Sequence, residues 1–204
     1  MTDRCSDANT TTSASPQANS ASNWQKRRSD VKNSNLSEEA LLAYMRDENW
    51  EVRLAAVQHP NATEAVLVLG ASDPMVVVSE NAVKQEKATD AVLVAALHHS
   101  LWWIRVQAAR KLTASEQILL MAIKDQDLHV RLAAVNNPNA TEQLLLEALA
   151  DPDPEVRLAA VKHPKATEQV FRIAAIDRDE RVRKAVAHND KASTIAKIVG
   201  ALGR

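Results

Sequence analysis

The chain has 204 residues, a formal net charge of −1 and one cysteine, Cys5. The near-zero charge argues against a dedicated nucleic-acid or membrane-surface binder. A single cysteine excludes an intramolecular disulfide framework and an all-cysteine metal or iron–sulfur site within one chain. No apolar run approaches the roughly 18 residues that span a bilayer, and the N-terminus does not resemble a secretory signal, so we expect a cytoplasmic protein.

The first 36 residues are dominated by Ser, Thr, Asn, Ala and Gln, with Trp24 as the only large aromatic residue. A segment of this composition buries too little apolar surface to offset its ordering entropy. We therefore predict that residues 1–36 are a disordered tail and that the folded part spans residues 37–204. The tail ends in a basic cluster, which is either simply solvated or a docking or localisation element: Lys26, Arg27, Arg28 and Lys32.

From Ser37 onward the sequence repeats itself with a period of 26 residues. Agreement at several positions in six successive registers is typical of a repeat architecture. The first residue of each register is apolar: Val52, Val78, Ile104, Val130, Val156 and Val182. Ten residues later each register has an alanine: Ala62, Ala88, Ala114, Ala140, Ala166 and Ala192.

Each repeat is predicted to contain two short helices. The first begins at a small hydroxyl residue such as Thr141, whose side chain can cap the helix, and apolar residues between Leu144 and Leu149 follow at helical spacing. The second begins at Asp153-Pro154 and ends before Pro164, because proline disfavours helix at the preceding residue. Helices of about ten residues are unstable alone, so stacking on neighbouring repeats must stabilise them.

An aspartate precedes an arginine by six residues in four of the repeats. At one-repeat spacing these side chains form two columns along the stack. We interpret them as a structural ladder in which each guanidinium binds its own aspartate or that of the next repeat; an anion-binding arginine stripe is the alternative. The pairs are Asp47 and Arg53, Asp125 and Arg131, Asp151 and Arg157, and Asp177 and Arg183.

The motifs V-R-L-A-A-V, N-P or H-P, A-T-E-Q and D-P-D-P make residues 37–191 resemble the leucine-rich repeat variant (LRV) and the related HEAT-like helical repeats. The resemblance implies an all-α, right-handed α-solenoid of about six 26-residue two-helix repeats, in which one helix of each repeat can be a 3-10 helix. In the LRV family the repeats can accompany a cysteine-ligated iron–sulfur module. This sequence lacks those cysteines, so we expect no cofactor.

The sequence contains no positive evidence for catalysis. It has three glycines and no phosphate-binding loop, nucleophile elbow or kinase motif. The histidines form no metal-ligand set, so we expect no metal site. Three of them, His59, His163 and His188, fall at or next to the end of a second helix, where a cation is favoured by the helix dipole. We expect these three to cap their helices.

Function is expected where the repeats break their own pattern. Ser79 and His99 replace ladder residues, and paired tryptophans follow the altered turn. We predict a partner-binding site in this region; the alternative is decay of redundant repeats with packed tryptophans. The predicted site consists of Trp50, Asn81, His98, His99, Trp102, Trp103 and Gln107.

The sequence therefore predicts a monomeric, non-catalytic scaffold that binds a protein partner. Two alternatives are a nucleic-acid-binding protein of the HEAT-like DNA-repair type, using the basic turns after the second helices, and a HEAT-like lyase or chaperone. Fold resemblance does not decide between such functions.

Overall fold

A computed structural model of the protein describes residues 23–202, which form fourteen α-helices of seven to nine residues joined by short turns. None of these helices is long and apolar enough to cross a membrane. The helices are α1 (Trp24–Asp30), α2 (Glu38–Tyr44), α3 (Trp50–Val57), α4 (Glu64–Ala71), α5 (Val76–Lys84), α6 (Asp90–Leu97), α7 (Trp102–Arg110), α8 (Glu116–Ala122), α9 (Leu128–Val135), α10 (Glu142–Ala148), α11 (Pro154–Lys162), α12 (Glu168–Ala174), α13 (Glu180–Ala187) and α14 (Thr194–Leu202).

The helices are arranged in two layers. Even-numbered helices begin the repeats and contact one another in one layer, and odd-numbered helices end the repeats and form the other. Six complete pairs run from α2–α3 to α12–α13, which confirms the predicted all-α array of six 26-residue repeats. Both helices of each pair are α-helices, so the 3-10 alternative does not apply.

The folded array begins earlier than the sequence predicted. Helix α1 packs against α3, Val31 is only 1% exposed, and Arg27 Nε lies 2.6 Å from a carboxylate oxygen of Asp47. The predicted disordered tail is therefore wrong for residues 23–36. The reason is that Trp24, Arg27 and Val31 each stand 26 residues before their counterparts in α3, so α1 is the second half of a repeat. The rest of the predicted tail, residues 1–22 with Cys5, lies outside the described residues.

The repeating apolar positions form the core between the layers. All six residues that open the registers, from Val52 to Val182, are fully buried, and the six alanines that follow ten positions later are buried as well. Small side chains let short helices approach closely. A Cβ atom added to Gly70 in α4, for example, would lie 2.6 Å from Val57 Cγ2 in α3.

Helix starts follow the predicted caps only in part. The Thr141 hydroxyl accepts a hydrogen bond from Leu144 N at 3.3 Å, as predicted, and Asp153 accepts one from Glu155 N at 2.8 Å. The hydroxyl of Thr63 makes no such cap and instead donates to Glu38 of the preceding repeat, 2.6 Å away. The hydroxyl residue that recurs at this position of each repeat can therefore join successive first helices as well as start one.

The ladder joins each arginine to the aspartate of the next repeat. Arg131 Nε and Nη2 donate to the two carboxylate oxygens of Asp151 at 2.8 and 3.2 Å, while Nη1 donates to the backbone carbonyl of Asp125 at 3.0 Å. The aspartate six residues before an arginine therefore binds that arginine through its backbone carbonyl. The carboxylate of the same aspartate binds the arginine of the preceding repeat. The same bidentate geometry recurs at Arg27–Asp47, Arg53–Asp73, Arg105–Asp125 and Arg157–Asp177.

These rungs are buried charge pairs. The side chains of Arg157 and Asp177 are 4% and 8% exposed. The side-chain hydrogen bond with Asp177 raises the pKa of Arg157 against the opposing effect of desolvation. Removing one member of such a pair leaves an uncompensated charge in the interior.

A second column of inter-repeat bonds runs along the turns after the odd-numbered helices. His163 Nδ1 accepts the backbone N–H of Lys165 at 3.1 Å, so Nε2 carries the proton and donates to the carbonyl of Asn137 at 3.3 Å. His59 makes the two equivalent bonds, one to a backbone N–H of its own turn and one to a backbone carbonyl of the preceding repeat. The predicted capping of their own helices is therefore wrong for these two residues, because one ring nitrogen accepts from the turn and the other bonds to the preceding repeat. Exposed His188 does contact a carbonyl of its own helix, that of Lys184, at 2.8 Å.

We predict that Arg157→Ala lowers the free energy of unfolding by about 3 kcal/mol, because Asp177 loses its bidentate partner while remaining buried. Urea denaturation followed by circular dichroism measures this. Arg181→Ala, which removes an exposed arginine from the same end of the array, is the matched control and should change stability little. Equal losses in both variants would contradict a structural role for the rungs.

We further predict that His163→Asn makes stability less sensitive to acid. Burial lowers the pKa of His163 below its ordinary value of 6.5, so the unfolded chain binds the proton more readily and the histidine's contribution is lost as pH falls through that window. Asparagine occupies the same column at Asn137, where it donates to the carbonyl of Lys111 and accepts the N–H of Asn139. Denaturation at several pH values should show wild type weakening more steeply below the ordinary pKa; parallel pH profiles would refute the assignment.

Candidate functional site

One rung of the ladder is replaced rather than merely lost. Ser79 stands where the arginine would be, and His99 stands twenty residues later where its aspartate would be. His99 Nε2 lies 3.1 Å from the carbonyl of Asp73, and Nδ1 accepts the N–H of Leu101 at 3.1 Å. In other repeats an arginine donates to that carbonyl and an aspartate accepts that N–H. His99 therefore performs both functions, and the two departures from the pattern compensate each other.

Both histidines of the predicted site bind backbone groups of the protein itself. His99 is buried, and its two ring nitrogens are both engaged with backbone groups. His98 is exposed at the end of α6, where its Nδ1 lies 2.8 Å from the carbonyl of Val94 in the same helix. Both side chains are thus directed to the backbone of the turn.

An aromatic cluster lies at the beginning of α7. Trp102 is 40% exposed and meets Trp103 edge to face, with ring centroids 6.0 Å apart and an interplanar angle of 88°. The ring of His129, in the next repeat, lies 4.8 Å from that of Trp102 at an angle of 31°. The sequence patterns did not single out His129, although it stands one period after Trp103 and so occupies the same place on the neighbouring helix.

His129 is held in place by Asp127. One carboxylate oxygen of Asp127 accepts the backbone N–H of His129 at 2.8 Å and lies 3.1 Å from its Nδ1. Desolvation acts to raise the pKa of Asp127, but these hydrogen bonds and the neighbouring charges outweigh it, and the pKa is lowered. The carboxylate thus stays ionised and orients the ring against Trp102.

A shallow groove runs from this cluster between α7 and α9. Trp103, Gln107 and Arg110 stand at positions i, i+4 and i+7 and share one face of α7. Arg110 and His129 line a cleft of about 270 Å³. Its lining combines apolar, polar and charged groups, as small binding grooves do: Arg110, His129, Leu132, Ala133, Asn136, Asn137 and Pro138.

The remaining predicted residues lie elsewhere. Trp50 lines a separate cleft of about 340 Å³ between α1 and α3, together with Arg28 and Lys32. The Asn81 side chain accepts from Gln58 Nε2 at 2.9 Å and donates to the carbonyl of Val77 at 2.7 Å. The structure therefore does not bring Trp50 to Trp102, because equal repeat positions two units apart are separated along a one-dimensional stack.

Comparisons with known proteins agree with this architecture. A HEAT repeat family model matches residues 143–163, which cover α10 and α11. A solved structure described as a leucine-rich repeat variant with a novel repetitive protein structural motif is 29% identical over 79% of this chain, with a TM-score of 0.56. The chain is an LRV/HEAT-like helical repeat protein. It spans 64% of the solved LRV protein. No curated protein matches the sequence.

Because His99 compensates for the arginine that Ser79 replaces, we predict that these two positions are coupled in a double-mutant cycle. Ser79→Arg alone inserts an unpaired guanidinium, and His99→Asp alone inserts an unpaired carboxylate, so each should destabilise the protein. Together they should rebuild a rung, with a favourable coupling of about 0.5–3 kcal/mol. Denaturation of the four proteins measures the coupling. Simple additivity of the two losses would show that the positions are independent.

Proposed function

We propose that this protein is a non-catalytic protein–protein interaction scaffold that binds its partner at Trp102, Trp103 and the groove between α7 and α9. The observation that carries the proposal is the aromatic cluster itself. In an array built from alanine, valine and leucine, two tryptophans and a histidine from neighbouring repeats meet at one surface.

The arrangement has the physical properties of a binding hot spot. Tryptophan supplies a large contact area with few rotatable bonds, so little entropy is lost when a partner covers it. Trp103 is half-buried and meets Trp102 edge to face, and His129 packs on the other ring, so the exposed surface is largely preorganised. Exposed Arg110 and Asn136 provide polar groups at the edge of the groove.

The proposed site is narrower than the one predicted from sequence. It keeps Trp102, Trp103 and Gln107 and adds His129 and Arg110. The structure offers backbone partners for His98 and His99, and Trp50 and Asn81 lie on other parts of the array. The protein is proposed to act as a monomer with a protein partner.

We predict that Trp102→Ala/Trp103→Ala abolishes capture of a partner that the wild-type protein retains. The measurement is a paired pull-down from source-cell lysate read by mass spectrometry, after melting curves show that both proteins are folded. Leu112→Ala is the matched control, because it truncates an exposed apolar residue after the far end of α7. Its capture should equal that of wild type.

Three outcomes separate the alternatives. A partner lost only in the tryptophan variant supports both the scaffold and its site. A partner retained by all three proteins moves the site elsewhere. Copurifying nucleic acid that is released steeply with salt, without a protein partner, would replace the proposal with the nucleic-acid-binding alternative.

A further inference from the structure

Arg183, the last ladder arginine in the described part of the chain, has no carboxylate partner among the described residues. Arg183 Nη1 donates to the backbone carbonyls of Asp177 and Arg178 at 2.7 and 3.1 Å, as the other ladder arginines do in their repeats. Its Nε is buried and has no hydrogen-bond partner among the described residues. At the five complete rungs, Nε donates to a carboxylate at 2.6–2.8 Å.

The sequence explains the missing bond. Each complete rung uses an aspartate twenty residues after its arginine, and the corresponding position for Arg183 is Gly203, which has no side chain. The guanidinium is nevertheless held by the same two carbonyls that orient the others. A buried charged donor without an acceptor is unfavourable. Arg183 is therefore preorganised for a carboxylate that this position of the chain does not supply.

Helix α14 packs against α13 and carries several exposed apolar side chains. In α14, Ile195, Ile198 and Leu202 are 72%, 54% and 68% exposed. Ile195 and Leu202 stand at the repeat positions of Gln143 and Ala150, which are exposed in the complete repeat as well. Their apolar character is thus not required by the stacking of the repeats, and it forms a contact surface beyond the pattern.

The charge distribution favours an acidic partner here. Residues 155–204 contain eleven lysines or arginines and six acidic residues, whereas residues 37–154 contain nine and seventeen. This end of the array is therefore positive while the middle is negative. Such a field attracts an acidic segment and orients it towards this end.

We propose that Arg183 and the exposed face of α14 bind an acidic turn–helix segment of a partner protein. An aspartate in the partner's turn takes the Arg183 fork as Asp151 takes that of Arg131, and the helix that follows this aspartate packs on α13 and α14 as α11 packs on α9 and α10. This inference goes beyond the proposed function, because the site lies three repeats from Trp102 and needs none of that cluster.

A second copy of this chain is a poorer occupant. In such a copy, α1 would have to stack on this end of the array. Its Lys26 and Asp30 stand at the repeat positions of Val52 and Ala56, which are fully buried in α3. It has Ala21 where the ladder aspartate would stand. Head-to-tail stacking would therefore bury charges and still leave Arg183 without a carboxylate.

The test uses a fluorescent peptide with the sequence of residues 150–163, which contains the turn and helix that serve Arg131. Fluorescence anisotropy with the full chain should show saturable binding. Asp151→Asn in the peptide should weaken binding about tenfold or more, since the charged bidentate pair is lost while the helix remains. This comparison leaves the protein unaltered, so misfolding cannot account for the loss.

Two protein variants locate the site. Arg183→Lys keeps the charge but not the fork and should weaken binding to a similar extent. Gly203→Asp should also weaken it, because the chain then supplies its own carboxylate to Arg183. Arg172→Ala is the matched control at the same end, since its side chain is 70% exposed, and it should change the affinity less than about twofold. The Trp102→Ala/Trp103→Ala variant should bind the peptide normally, which separates this site from the proposed scaffold site.

Several results would overturn the proposal. They are the failure of the aspartate peptide to saturate, equal affinity for the asparagine peptide, and equal affinity of the Arg183→Lys variant. Sedimentation velocity adds a fourth: a concentration-dependent dimer that disappears in Arg183→Lys would assign the site to a second copy.

Discussion

The bond between an arginine of one repeat and the aspartate of the next is the interaction on which the rest of the structure depends. Helices of seven to nine residues are too short to be stable alone. Hydrophobic contacts between layers hold them, but such contacts are non-directional. The rung adds direction, because a planar fork meets a carboxylate only in one register, and its backbone bonds tie the same arginine to the turn beside it. Each repeat is thereby oriented by its neighbour.

The placement of the functional residues follows from that constraint. The ladder residues and the residues in the turns after the odd-numbered helices make bonds between repeats. We therefore expect one repeat to differ from another at positions outside these bonds, or in pairs of residues that compensate each other. His99 and Ser79 form such a pair. His99 makes one bond that an arginine makes in other repeats, to a backbone carbonyl, and one that an aspartate makes, to a backbone N–H. Immediately after this altered rung the chain accommodates Trp102 and Trp103. Arg183 is the other special place, because its buried Nε has no hydrogen-bond partner among the described residues.

Much of the fold was predictable from the sequence, and the errors have physical causes. The period, the two helices per repeat and the buried Val130 column follow from local patterns of apolar residues. The start of the array was missed because α1 has Lys26 at a normally apolar position and lies in a segment rich in Ser, Thr and Asn. The ladder partner was left open because spacing along the chain shows an aspartate six residues away, whereas the carboxylate that binds is twenty residues away.

Sequence alone determined the repeat unit, the number of repeats and which residues are buried, because each of these depends on a periodic pattern that can be seen along the chain. Tertiary structure decided which side chains meet across repeats. It separated Trp50 from Trp102 and placed His129 against Trp102. It joined His59 and His163 to the carbonyls of preceding repeats, and it left Arg183 Nε without a partner among the described residues. These outcomes depend on the orientation of neighbouring helices, which only the packed stack defines.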